Sequence, residues 1–284
     1  MPYTTLISTQ DLAPHLDDPA WVIIDCRFNL ARPQAGYEAY LAGHVPGARY
    51  AHLDRDLSSP VTPVSGRHPL PDPAVLAQRL GQWGVDGTKQ VVVYDDASGP
   101  FAARLWWLLR WLGHPAVAAL DGGLAEWRRE GLMLTAAAPV VHAAVFTPRP
   151  NDGAWVSTAF VMQHLSQGDY TLVDARAVER YAGEVEPLDP VAGHVPGAVN
   201  RPFTGNLDAA GCLLPADELR RVFQGLVKGI PPQRVIHMCG SGVTACHNLL
   251  AMEVAGLPGA RLYAGSWSEW VRDSARPLAT GRSP

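Results

Sequence analysis

The chain has 284 residues, 47% hydrophobic and 18% charged, with a formal net charge of −4. That length divides most naturally into two domains, each with a real core. That charge gives nothing to draw the protein to nucleic acid or to an anionic membrane surface.

The first residues, Met1-Pro2-Tyr3-Thr4-Thr5, show no basic region followed by a long apolar run. The longest apolar candidate for a membrane span, Leu105 to Leu112, is interrupted by Arg110. The apolar run Trp21-Val22-Ile23-Ile24 leads into Asp25-Cys26-Arg27, and Gly43-His44-Val45-Pro46-Gly47-Ala48 follows as a turn by its Gly and Pro. Val91-Val92-Val93-Tyr94 is expected to be a buried strand from its length and β-branching. After the loop Asp96-Ala97-Ser98-Gly99-Pro100-Phe101, Ala102 to Trp111 carries helical apolar spacing and stops at Gly113. Leu120-Asp121-Gly122-Gly123-Leu124 comes next. The stretch from about Thr135 to Trp155, rich in Ala, Pro, Asn, Asp and Gly, reads as an extended linker.

Beyond it the pattern returns. Thr171-Leu172-Val173 precedes Asp174-Ala175-Arg176, and Gly193-His194-Val195-Pro196-Gly197-Ala198 repeats the earlier turn. Val235-Ile236-His237-Met238 is a strand, and Thr244 to Val254 is a helix stopped by Gly256. Val91 to Trp127 aligns with Arg234 to Trp270 at a constant offset of 143. Such internal repetition means the same fold twice, here domain 1 over 1–135, a linker over 136–154 and domain 2 over 155–284. Alternating strands and helices predict an α/β domain with a mainly parallel sheet flanked by helices. Ligands of such domains bind in loops at the carboxyl ends of the strands.

The repeat is an internal control: features in both halves serve the fold, and features in one half are candidates for function. Gly-His-Val-Pro-Gly-Ala and Asp-x-Arg occur in both, so turn chemistry and a structural ion pair explain them. The strand-to-helix loop differs. Cys239-Gly240-Ser241-Gly242-Val243-Thr244 stands where the first half has its Asp96 loop, which puts Asp96 at the cysteine position and makes domain 1 catalytically silent.

Cys239 follows a strand and precedes a helix, whose first N–H groups and partial positive charge favour thiolate over thiol. Gly240 and Gly242 let the loop curl so that its amides converge on one point, a nest for the charged outer sulfur of a persulfide, within reach of solvent. Ser241 and Thr244 add hydroxyls. Cys246, inside the helix, is expected to be a buried, inert cysteine. His237, Cys239, Cys246 and His247 lack the pair spacing of a zinc site, so no metal is expected. The arginine that closes a cysteine phosphatase loop is also missing, since Ala245 stands six residues after Cys239.

The loop Cys239-Gly240-Ser241-Gly242-Val243-Thr244-Ala245 resembles that of the mercaptopyruvate group of tandem rhodanese-domain sulfurtransferases. So do the two Gly-His-Val-Pro-Gly-Ala turns, Leu120-Asp121-Gly122-Gly123-Leu124 and Gly265-Ser266-Trp267-Ser268-Glu269-Trp270. The resemblance implies two tandem rhodanese-like domains and a ping-pong cycle through a Cys239 persulfide, with no cofactor. The partners it implies are a small anionic donor and a cyanide, thiol or thioredoxin-like acceptor. It assigns the donor carboxylate to Arg180, in Asp174-Ala175-Arg176-Ala177-Val178-Glu179-Arg180-Tyr181, and a proton relay to Ser241 and His44, with no aspartate match near Asn29 to Gln34 for the relay's third member. Leu188 stands where a second donor-binding arginine is expected, and Ala264 where an aspartate is. The neutral loop favours 3-mercaptopyruvate over dianionic thiosulfate, the alternative donor. A sulfur carrier or sensor loaded by a partner protein is the alternative of another class.

Overall fold

The computed structural model describes residues 1–164 and 167–283. It contains two five-stranded sheets. In the first, β1 (Leu6–Ile7), β2 (Trp21–Asp25), β3 (Arg49–Tyr50), β4 (Gln90–Tyr94) and β5 (Val117–Leu120) run in the order β1-β5-β4-β2-β3. In the second, β6 (Trp155–Val156), β7 (Thr171–Asp174), β8 (Val199–Asn200), β9 (Val235–Met238) and β10 (Arg261–Tyr263) repeat that order as β6-β10-β9-β7-β8. Every pairing is parallel.

Parallel sheets bury both faces, so their strands are apolar throughout rather than alternating. Neighbouring residues of the second sheet accordingly enter different cores. Leu172 and Ile236 pack with Trp267 and Trp270 on one face, while Val173 and Val235 pack with Leu219, Phe223 and Met252 on the other. The helix Ala216–Val227 buries Leu219, Phe223 and Val227, spaced one turn apart on a single face. By contrast, the helix Pro100–Trp111 is buried on nearly all sides, which explains why it is apolar almost without interruption.

The strand registers correct one expectation. Asp25 pairs with Tyr94 in the first sheet, and Asp174 pairs with Met238 in the second. The residue after each strand then accepts an amide from the equivalent glycine-rich segment: Leu124 N–H reaches Asp95 O at 2.9 Å, and Trp267 N–H reaches Cys239 O at 3.0 Å. Asp95, not Asp96, occupies the position of Cys239. The first loop is one residue longer, and the offset recovers only by the helix-ending glycines Gly113 and Gly256. An ungapped alignment hid this because it matched the glycines rather than the sheet.

The expected linker differs as well. Most of it is laid along the first domain: Ala144 N–H bonds to Gly81 O, Arg149 N–H to Leu112 O and Asn151 N–H to Trp111 O, and Phe146 is buried. The first compact unit comprises Met1–Ser59, Leu70–Asn151 and Ala209–Cys212, and the second comprises Pro60–Pro69, Asp152–Asp208 and Leu213–Pro284. Each unit thus includes a short segment from the other half of the sequence. The segment Pro60–Pro69 brings two side chains to the site described next.

Candidate active site

Residues 239–244 connect β9 to the helix Ala245–Val254. Cys239 N–H donates to Ser266 Oγ (3.1 Å), while its carbonyl and that of Gly240 accept from Trp267 and Ser268 N–H (3.0 and 2.8 Å). Gly242 has φ +73°, and a Cβ there would lie 2.5 Å from the Ala264 carbonyl oxygen, so only glycine fits. Ala264 meets the loop through its backbone, a contact that does not depend on its side chain.

The loop's outward amides lack an internal acceptor. Among the described residues, the N–H groups of Gly240, Ser241, Val243 and Thr244 bond to no carbonyl or side chain. The matching loop of the first unit is closed from within. Asp95 lies at 0% exposure, and its carboxylate accepts the amides of Ala97, Gly99, Phe101 and Ala102 at 2.8–2.9 Å. Burial pushes this carboxyl up, and the four amides oppose that push. The same turn of chain presents amides in both halves, and only the first half meets them with a carboxylate of its own.

Cys239 is more enclosed than expected, at 2% exposure. Its surroundings are nevertheless polar. Arg180, predicted to meet the donor, is a partly buried ionic group rather than a solvated surface residue. Its Nη2 lies 2.7 Å from Glu186 Oε1 and 3.2 Å from Asp189 Oδ2. Arg176 is held by Asp174 through Nε and Nη2, bonds Gly193 O at 2.7 Å, and stacks over Trp267 at 4.8 Å. Arg27 repeats this pairing with Asp25 and Gly43 O, as a structural role in both halves requires. Burial raises the Glu186 carboxyl, but the bond and charge of Arg180 together with the Leu188 and Asp189 amides outweigh it and hold the group below the usual range. Burial pushes Asp189 up, against the pull of Arg67 and Arg180.

The segment Pro60–Pro69 adds what sequence reasoning missed. His68 Nδ1 lies 2.6 Å from Ser241 Oγ, and both residues are buried. Arg67 pairs with Asp189 through a very short contact. A Cβ on Gly240 would sit 2.8 Å from an Arg67 terminal nitrogen and 3.5 Å from one of Arg180. The structure thus groups Ser241, Gly240 and Arg180 with Cys239, and Val243 and Thr244 complete the loop.

His44, expected in the relay, is spent elsewhere. Its Nδ1 lies 2.8 Å from Tyr40 O, its Nε2 lies 3.2 Å from Ala137 O, and its ring stacks on Tyr40 at 4.0 Å. His194 does the same with Tyr181, at 2.8 Å and 3.8 Å. The shared turn imposes the shared role, and the histidine that touches Ser241 is His68. A signal for it existed: Arg67-His68 precedes Pro69-Leu70-Pro71, whereas Gly211-Cys212 precedes the corresponding Leu213-Leu214-Pro215, so the basic pair occurs in one half only. Cys246 is buried and its thiol faces Gly242 O at 3.4 Å. Among the described residues no three His, Cys, Asp or Glu side chains are grouped to hold a metal ion, and no helix is long and apolar enough to cross a membrane.

Comparison with known proteins agrees with this geometry. A model of the rhodanese-like domain matches residues 8–130 and again 157–273. A probable 3-mercaptopyruvate sulfurtransferase of Pseudomonas aeruginosa is 50% identical over 97% of this chain and 98% of its own. A putative thiosulfate sulfurtransferase of Mycobacterium tuberculosis is 38% identical over 97% of each. The crystal structure of the 3-mercaptopyruvate sulfurtransferase of Escherichia coli superposes with a TM-score of 0.80 at 36% identity, covering 94% of this chain and all of that one.

Proposed function

Since the chain belongs to the rhodanese family and is a sulfurtransferase of the tandem-domain kind, we propose that it moves sulfur from 3-mercaptopyruvate to a thiol or cyanide through a persulfide on Cys239. The observation that carries the reading is the loop of acceptor-free amides around Cys239, flanked by Arg180 and the His68–Ser241 pair.

In the first half-reaction the Cys239 thiolate attacks the donor sulfur. An S–S bond forms, the donor C–S bond breaks, and its electron pair leaves as the enolate of pyruvate. The amides of Gly240, Ser241, Val243 and Thr244 stabilise the negative sulfur, as preorganised donors do where charge develops. Ser241, hydrogen-bonded to His68, supplies the proton that converts the enolate to pyruvate, and His68 recovers one from solvent. In the second half-reaction an acceptor thiolate or cyanide attacks the outer sulfur, the S–S bond breaks, and the Cys239 thiolate returns. Arg180 holds the donor carboxylate. The four cysteines are free thiols, which suits a cytoplasmic, reducing setting.

Thiosulfate is the competing donor, since relatives bearing either name align over nearly the whole chain. The neutral side chains of Gly240, Ser241 and Gly242 favour the monoanion. Steady-state kcat/KM with both donors and cyanide as acceptor decides: the proposal expects the larger value for 3-mercaptopyruvate, and a preference for thiosulfate overturns that assignment. No turnover with either donor, together with a stable persulfide after loading by a cysteine desulfurase, would make the chain a carrier instead.

A further inference from the structure

Leu188 leaves the expected second donor-binding arginine absent, and its side chain is exposed. A different arginine stands at the site. We infer that Arg67, delivered by the segment Pro60–Pro69, is a specificity-determining residue that closes with Arg180 on the donor's anionic end. The inference rests on the reading that Cys239 takes sulfur from a small anionic donor.

The segment is anchored to the second unit by its backbone. Arg67 N–H donates to Ser268 Oγ at 3.0 Å, and Ser65 O accepts from Arg272 Nε at 3.2 Å. Between them Gly66 lies so close to Gly265 that a Cβ would sit 2.6 Å from its carbonyl oxygen. Any other residue at position 66 would lift the segment off. The Arg67 side chain is therefore fixed at its root.

Its free end is aimed by Asp189. One Asp189 oxygen takes Arg67 Nη1 and the other takes Arg180 Nη2, so a single buried carboxylate, 3% exposed, bridges two guanidinium groups. Two cations this close would otherwise repel. The nitrogens committed to carboxylates are Nη1 of Arg67 and Nε and Nη2 of Arg180. Those nearest Gly240 include the other ones, Arg67 Nη2 at 2.8 Å and Arg180 Nη1 at 3.5 Å from the site of a Cβ. Among the described residues neither donates to a protein acceptor. Both forks thus present unused N–H groups beside the residue that follows the nucleophile. Their side chains keep 25% and 18% exposure, against 3% for Asp189 behind them. An anion arriving from solvent meets the guanidinium edges first.

The charge balance specifies the class of donor. Asp174, Arg176, Glu186, Arg180, Asp189 and Arg67 form one chain of alternating sign, three of each. Such a neutral network offers directed N–H donors without a large excess of positive charge, which suits one carboxylate better than a dianion.

The test is Arg67→Gln, with Arg67→Lys as the conservative variant, both checked for an unchanged melting temperature. Donor KM is measured at saturating acceptor, and pyruvate affinity is measured by calorimetry on the resting enzyme. Arg67→Gln is expected to raise the donor KM and the pyruvate Kd by about tenfold each, the size expected for one charge-assisted bond. Arg67→Lys should fall between, since it keeps the charge and loses the fork. The acceptor KM should not move, as loss of binding shared by ground and transition states predicts. Donor KM and pyruvate Kd both within twofold of wild type would overturn the assignment. A wild-type preference for thiosulfate would instead defeat the mercaptopyruvate reading. In that case the clamp is judged on thiosulfate KM, and calorimetry judges it even without turnover.

Discussion

The two strand-to-helix loops of this chain solve the same electrostatic problem in opposite ways. Both follow the second of two paired parallel strands and open into a helix, so both present backbone N–H groups that require an anion or an acceptor. In the first half Asp95 fills that requirement with its own carboxylate, bonded to four amides. In the second half the equivalent residue is Cys239, which has no carboxylate to offer the amides of Gly240, Ser241, Val243 and Thr244. One loop is complete in itself. On the proposed reading, the other is completed by the sulfur that Cys239 takes up.

The comparison breaks most visibly when the two key residues are removed in turn. Cys239→Ser is expected to lower kcat at least about a thousandfold with little change in melting temperature. Asp95→Ala is expected to do the reverse. It strands four buried amides, costs about 3 kcal/mol in thermal or denaturant unfolding, and touches no reacting atom. Comparable activity loss in both variants would show that the first loop is not merely structural.

The two kinds of histidine sharpen it further. His68→Gln should lower kcat about a hundredfold with donor KM little changed, as loss of a proton-transfer partner does. His44→Gln should register in the melting temperature before it registers in kcat, because its ring nitrogens meet the backbone carbonyls of Tyr40 and Ala137. A larger kcat loss from His44→Gln would return the relay to His44.

Much of this comparison was legible in the sequence, and the omissions have physical causes. The repeat, the parallel α/β class and the Cys239 loop followed from spacing and residue chemistry, whereas Arg180 was named by the resemblance. The Asp95 register did not, because glycine matches track turns while strand pairing tracks the sheet, and a one-residue insertion between them leaves both patterns intact. Arg67 and His68 were missed for another reason. They lie in the first half of the sequence and belong to the second compact unit, and only a comparison of the two halves, in which the basic pair occurs once, points to them. His44 looked catalytic only by resemblance, whereas its twin His194 already showed the same turn doing the same work.

Smaller effects test the surroundings of the loop. Asp189→Asn removes one negative charge from the Arg67–Arg180 bridge. It should move the ratio of kcat/KM values toward thiosulfate by about threefold to tenfold, in line with loss of one charge contact between partly buried groups. An unchanged ratio would mean that charge balance does not set donor choice.

The smallest expected effect lies beneath the loop. His237 of β9 is fully buried where the first half has Val93, and burial lowers its pKa to about 3. The unfolded chain binds a proton near pH 6.5 and the folded one does not until about pH 3. Stability is therefore lost as pH falls through that window. Between pH 7.5 and pH 5 this residue accounts for about 2 kcal/mol of the loss. His237→Val should remove that share of the acid dependence, seen as a flatter plot of unfolding free energy against pH. An identical slope would place the charged imidazole in a solvated site instead.

The most direct test of the account is mass spectrometry of the intact protein and its peptides after brief exposure to 3-mercaptopyruvate without acceptor. The account predicts one added sulfur, confined to the peptide carrying Cys239, absent in Cys239→Ser and discharged by cyanide. Added sulfur on Cys26, Cys212 or Cys246, or its persistence in Cys239→Ser, would contradict it.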